Sequence, residues 1–186
     1  KSDMGIEGAL VTDHSSGEEI KFKAKFIAVA DGANSRFSRS LGSNRDKSYP
    51  MGMAIRGYFE SPLDKEPWIE SALDVKDRNG NSMPGYGWIF PVGNGTINVG
   101  IGLLSTFRDY KNINTTHLFN EFALTLPDYW QINPLEPIEP PTGGRLPMAG
   151  SVGPKAGHNW LLVGDAAGSV NPFNGEGIDY AYETGR

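Results

Sequence analysis

The chain has 186 residues, 38% of them hydrophobic and 21% charged, and its 22 acidic against 17 basic side chains give a net charge of -5. That is enough apolar material for a core, while the acidic balance leaves no broad positive field for nucleic-acid phosphates. With no Cys there are no disulfides, thiolate metal sites or thiol nucleophiles; His14, His117 and His158 are too scattered for a metal motif; and no apolar run approaches the roughly 20 residues that span a bilayer.

The chain opens at Lys1 on a polar stretch without a signal-peptide pattern and stops at Gly185-Arg186 inside a helical pattern, so it reads as a piece of a longer protein. Ile6 to Thr12 and Glu19 to Ala30 carry apolar residues on either side of Ser15-Ser16-Gly17, the pattern of a hairpin feeding a buried strand, Phe26 to Ala30. That strand ends at Asp31-Gly32. Asn34 or Ser35 then caps a short helix running to Leu41 and stopped by Gly42. Strands are expected at Met51 to Glu60, Trp68 to Lys76, Gly87 to Pro91 and Thr96 to Leu104, separated by turn clusters such as Gly93-Asn94-Gly95, which makes an antiparallel sheet. A helix from about Thr116 to Leu126 places Leu118, Phe119, Phe122, Ala123 and Leu126 on one face, and a Pro-rich connection follows from Pro134 to Pro147. The last section returns to an α/β pattern, with a buried strand Trp160 to Val163, a Gly164-Asp165 turn, a Gly/Pro loop and a helix from near Gly177. The fold class is therefore mixed, α/β at the ends with an inserted antiparallel β domain, and the expected division is 1–45 with 145–186 against 46–144.

Two motifs carry chemistry. In Leu162-Val163-Gly164-Asp165-Ala166-Ala167-Gly168 a short strand delivers Asp165 to the carboxyl end of a sheet, where open α/β folds bind ligands and where a carboxylate accepts hydrogen bonds from sugar or ribitol hydroxyls. The small residues after it would let a bulky cofactor approach the backbone. Asn171-Pro172 and Gly175-Glu176-Gly177 follow, the latter opening a helix whose amides and positive end suit an anion. The plainer alternative is an Asp that caps a helix. The second motif, Ala28-Val29-Ala30-Asp31-Gly32-Ala33-Asn34-Ser35-Arg36, is again a strand ending in Asp-Gly before a helix. Gly32 can take positive φ, Asp31 can accept from a ribose-type hydroxyl, and Arg36 and Arg39 either meet a pyrophosphate or form a solvated helix face.

In this order and separation the two motifs resemble the flavin-dependent hydroxylase superfamily, the fold group of p-hydroxybenzoate hydroxylase, and the resemblance covers essentially the whole chain. A third motif narrows it. Tyr86-Gly87-Trp88-Ile89-Phe90-Pro91, followed after eight residues by Gly100-Ile101-Gly102, looks like the Tyr-x-Trp-x-Phe-Pro and Gly-x-Gly signature of geranylgeranyl reductases. Alternate strand residues point the same way, so Tyr86, Trp88 and Phe90 form one aromatic row, either an apolar wall for a long hydrocarbon or a core-facing stripe. The superfamily's G-x-G-x-x-G strand-turn-helix, which holds the ADP pyrophosphate, is absent from these residues.

The resemblance implies part of a Rossmann-like FAD-binding domain with an inserted substrate domain, and FAD as cofactor. Asp31, Gly32, Arg36, Gly164, Asp165, Pro172, Gly175, Glu176 and Gly177 then contact the cofactor, and Tyr86, Trp88 and Phe90 the substrate. No side chain is assigned as catalytic and no metal is expected. The implied activity is saturation of isoprenoid double bonds in a polyprenyl lipid or prenylated quinone by an FAD-dependent oxidoreductase, the piece alone being inactive. It would be cytoplasmic with transient contact at a membrane surface, and its electron donor is unassigned. The competing readings are a flavin monooxygenase or halogenase of the same fold acting on an aromatic substrate, and a lipid- or partner-binding β domain without enzymatic activity.

Overall fold

The structure, a computed structural model, describes residues 5–107 and 109–186; the polar opening stretch of residues 1–4 lies outside them. In chain order the elements are β1 (Gly8–Thr12), β2 (Glu19–Lys23), β3 (Ile27–Val29), α1 (Arg36–Ser40), β4 (Asn44–Arg45), β5 (Met51–Glu60), β6 (Glu70–Ala72), β7 (Gly85–Pro91), β8 (Thr96–Leu104), α2 (Thr115–Leu124), β9 (Thr142–Pro147), β10 (Val152–Gly153), β11 (Trp160–Leu162) and α3 (Ile178–Gly185). They form two compact units, Lys1–Tyr49 with Pro147–Arg186, and Pro50–Leu146.

The central unit is a five-stranded sheet in the order β6-β7-β8-β5-β9. Period-two alternation gives its middle strand two unlike faces. Along β8, Ile97, Val99, Ile101 and Leu103 are buried, and they share a core with Ile55 and Phe59 of β5, Ile89 of β7, and Leu118, Phe119, Phe122 and Ala123 of α2. The Asn114 side chain caps α2 by accepting from the His117 N–H at 3.1 Å. Two strand glycines let the helix descend onto the sheet: a Cβ at Gly57 would lie 3.0 Å from the Phe119 ring, and one at Gly87 only 2.2 Å from the Phe122 ring.

The expected strand from Trp68 to Lys76 shortens to β6. Glu70 accepts from the Trp130 indole at 2.9 Å and from the Tyr129 hydroxyl. Beyond it the chain is captured by Asp77, whose carboxylate takes the Asn79 and Asn81 amides at 2.8 and 2.9 Å, an Asx turn that competes with the ladder. The Pro-rich connection hides β9, an edge strand that ends in Pro147, a placement that asks little of backbone N–H groups on its free side.

The other unit is built from three small sheets: the β1/β2 hairpin, an antiparallel β4/β10 pair, and β3 parallel to β11 with Ile27, Ala28 and Val29 opposite Trp160, Leu161 and Leu162. Val29, Val152, Leu162 and Ala167 form its core. The Ser35 side chain caps α1 by accepting from the Ser38 N–H at 2.9 Å. The buried strands read from sequence are buried in part only. Val29 and Leu162 are covered, but Phe26, just before β3, is 75% exposed and Leu161 44%.

Gly87→Ala should destabilise the central unit by about 1–3 kcal/mol, the usual cost of forcing a methyl into a filled core, since the Phe122 ring occupies the space. Chemical denaturation against wild type checks this; an unchanged midpoint would mean that α2 does not seat as described.

Candidate functional site

In the α/β unit the parallel β3/β11 pairing extends past the strands, with the Val163 N–H donating to the Val29 carbonyl at 3.0 Å. Asp31 and Asp165, which follow these two strand ends, therefore sit at the same edge of the sheet. The Gly164-Asp165 turn is one turn of 3-10 helix, Gly164–Ala167. α3 clamps it: the Gly164 N–H donates to Thr184 Oγ1 at 2.8 Å, and a Cβ at Gly164 would meet that of Ala181 at 3.2 Å with φ at +58°.

The Asp165 carboxylate is half-buried and, among the described residues, accepts no hydrogen bond. Burial alone pushes its pKa above the ordinary carboxylate value. A side chain added at Gly177 would bring its Cβ 3.8 Å from Asp165 Oδ1 and 3.3 Å from Val170 Cγ2. Gly177 thus leaves open the space beside an unpartnered acceptor, and the fold brings the two halves of the longer motif together. An acceptor of this kind suits a polyol chain, so the residues present fit the ribitol of a flavin.

Two details of the cofactor motifs differ from expectation. Ala166 and Ala167 are 2% and 3% exposed, and Gly168 faces Ser151 and Val152. Their smallness therefore serves packing within the chain and leaves no open backbone for a cofactor. The start of α3 is not a set of free amides. The Glu176 carboxylate accepts from the Ile178 and Asp179 N–H groups at 2.7 and 3.3 Å. Gly175 N–H donates to the Asn171 carbonyl at 2.9 Å and Glu176 N–H to Asn174 Oδ1 at 2.9 Å. A side chain of the loop itself thus fills the place an anion would take. Gly32 takes the positive φ its place allows, at 80°, and Gly175 takes 73°, while φ at Gly177 is -123°, open to any residue.

Asp31, Arg36 and Pro172 are exposed, as is Arg39, and none of them enters an ion pair among the described residues. Arg36 and Arg39 lie on the solvated side of α1.

The second site lies within the central sheet, on the face opposite α2. Gly87 and Ile89 point to the core, so Tyr86, Trp88 and Phe90 share the other face, with successive ring centroids 5.9 Å apart. The row is not a core stripe of this sheet. The Trp88 indole crosses Gly100, where a Cβ would lie 2.1 Å from the ring, and donates to Asn98 Oδ1 at 2.8 Å. The strand registers extend this face: Ala54, Gly102 and Tyr86 form one line across β5, β8 and β7; Arg56, Gly100 and Trp88 the next; and Tyr58, Asn98 and Phe90 the third. Arg56, Tyr58 and Asn98 are not among the residues that the motifs single out, although the alternation in Met51 to Glu60 and Thr96 to Leu104 puts them on the aromatic side.

The FAD binding domain family matches residues 1–183. The chain belongs to that family, and its cofactor is FAD. It is 45% identical over 163 residues to the menaquinone reductase of Mycolicibacterium smegmatis, a match that covers 86% of this chain and 39% of that protein. It is 34% identical over 183 residues to digeranylgeranylglycerophospholipid reductase 2 of Methanosphaera stadtmanae, covering 96% and 43%. Among solved structures, a geranylgeranyl bacteriochlorophyll reductase-like protein from Thermoplasma acidophilum superposes with a TM-score of 0.70 at 26% identity, over 97% of this chain and 43% of its own. The chain thus spans about two fifths of the length of these relatives. The flavin-dependent brominase Bmp2, at 17% identity and a TM-score of 0.63, shares the fold.

Asp165→Asn should lower FAD affinity about tenfold or more, the cost of a charge-assisted hydrogen bond. It should not lower the stability of the cofactor-free protein at pH 7. A carboxyl whose pKa is raised by folding stabilises the fold only when protonated, and that contribution is lost as pH rises through the raised value. Flavin titration and thermal melts of apoprotein check both halves. Gly177→Ala should keep the fold and weaken flavin binding, whereas Gly164→Ala, forced to positive φ against Ala181, should cost about 1–2 kcal/mol of stability. Equal melting shifts for the two variants would contradict the distinction.

Proposed function

We propose that the protein is an FAD-dependent reductase that saturates isoprenoid double bonds of a polyprenyl lipid or prenylated quinone. The observation that carries this reading is the Trp88 indole lying across Gly100 and flanked by Tyr86 and Phe90, an aromatic floor on a sheet face that its own core does not use. The relatives named as reductases of menaquinone and of digeranylgeranylglycerophospholipids support it.

The overall reaction adds a hydride and a proton across a carbon–carbon double bond. Reduced FAD supplies the hydride. Asp165 would hold a ribitol hydroxyl of the cofactor, and Gly177 would leave room for it. Asp31 and Arg36, at the neighbouring strand end, are the further candidates for cofactor contact. The residues of the aromatic row do no covalent chemistry; they gather a chain that offers little polarity to grip, and they exclude water from it. A lipid substrate also brings the protein to a membrane surface for part of its cycle. No helix among the described residues is long and apolar enough to cross one.

Trp88→Ala should weaken binding of a long prenyl lipid by about 2 kcal/mol, roughly thirtyfold, by analogy with large-to-small losses in buried sites, with flavin content retained. Anaerobic incubation of the reduced flavoprotein with prenyl lipids, followed by mass spectrometry of the tails, is the assay. Tails left unsaturated by wild type, together with oxygen consumption stimulated by an aromatic substrate, would replace this reading by a monooxygenase of the same fold. A purified protein unable to retain flavin would point to a binding domain.

A further inference from the structure

The apolar floor raises a problem that it cannot solve. Prenyl tails repeat the same branched unit, and contact with hydrocarbon is non-directional, so an aromatic row alone holds one isoprene unit as well as the next. Selecting a particular double bond requires a fixed polar anchor at a set distance along the chain.

The same sheet face carries one. Arg56 lies on β5 in register with Gly100 and, through it, with Trp88 on β7. Because Gly100 has no side chain, the indole spreads over β8 toward Arg56, with only the glycine strand between them. The guanidinium is held from two sides: it stands 5.2 Å over the Tyr58 ring, and its Nη1 donates to Thr142 Oγ1 at 3.0 Å. Both contacts orient the group without neutralising it. Among the described residues the only ion pair is Lys76 with Asp74, so no carboxylate occupies Arg56, and most of its fork of donors is unspent. The face is consequently amphiphilic across three strands, with aromatic rings on β7, a glycine floor with Asn98 on β8, and a fixed cation on β5.

We infer that Arg56, oriented by Tyr58 and Thr142, binds the oxygen-rich head group of the prenyl substrate and thereby sets which double bond along the tail is reduced. This rests on the function proposed above. Two head chemistries present suitable acceptors, the carbonyl of a quinone and the phosphate of a phospholipid, and a planar guanidinium donates to either.

The test uses the FAD-loaded protein with three probes: a prenylated quinone, a geranylgeranylated glycerophospholipid, and squalene, an isoprenoid without a head group. Binding is read from tryptophan fluorescence quenching and the position of saturation from tail fragmentation in mass spectrometry. Arg56→Met, which keeps the apolar stem, should weaken the matching headed lipid at least tenfold and spread saturation over several double bonds. It should leave squalene within twofold. Arg56→Lys should recover affinity in part if the head is a phosphate, to which an ammonium binds as a point charge, and little if it is a quinone carbonyl. Equal losses for squalene and the headed lipids, or no loss for either headed lipid, would overturn the inference. Because the binding comparison needs no turnover, it gives its answer even if wild type saturates no tail, an outcome that would count against the proposed function alone.

Discussion

The central strand β8 has to satisfy two neighbours at once, and most of the larger unit follows from how it does so. Ile97, Val99, Ile101 and Leu103 fill the side toward α2, while Asn98, Gly100 and Gly102 leave the other side nearly bare of side chains. The bare side is what allows a large indole to lie flat, and its N–H is satisfied by the one polar residue of the set, Asn98. A β-branched residue at position 100 would lift the ring off the sheet and end the continuity between the β7 aromatics and β5. The close seating of α2 depends on the mirror arrangement, with Gly57 and Gly87 admitting Phe119 and Phe122 on the core side. Glycines usually weaken strands; here they are the places where rings approach the backbone.

Much of this is legible from the residues. β5 and β8 run over Met51–Glu60 and Thr96–Leu104, as their alternation indicates, and the Asp-Gly and Gly-Asp motifs do flank neighbouring strand ends. What sequence cannot supply is pairing. Gly100 is one more glycine in a Gly-x-Gly pattern until register places it beneath Trp88, and Arg56 looks like any exposed charge until it falls on the same line. The edge strands β6 and β9 depart from their sequence pattern because their lengths are set by partners and turns: Glu70 is drawn to Trp130, Asp77 captures the chain beyond it, and β9 exists because β5 offers it an edge. Small residues after Asp165 suggest space for a ligand, but small residues also mark tight packing, and only the folded arrangement separates the two.

The α/β unit shows the opposite economy. Its sheet pairs are short and its strands half-covered, yet it maintains a carboxylate without a partner among the described residues and with a pKa raised by burial. Such a group is a cost to the apoprotein, and under the proposed ribitol contact a ligand hydroxyl would remove it, so cofactor affinity and apoprotein stability would pull in opposite directions at this position.

The loop that leads into α3 is tied together from within. Asn171 holds both ends of the segment, accepting from Gly175 through its carbonyl and donating its own N–H to the Glu176 carbonyl, while Glu176 closes the helix start with its carboxylate. A loop tied at both ends in this way is partly preorganised, and it has less conformational entropy to surrender when a ligand docks. If the cofactor docks here as proposed, its association would resemble filling a standing mould, with on-rates governed by diffusion and desolvation and no slow ordering phase.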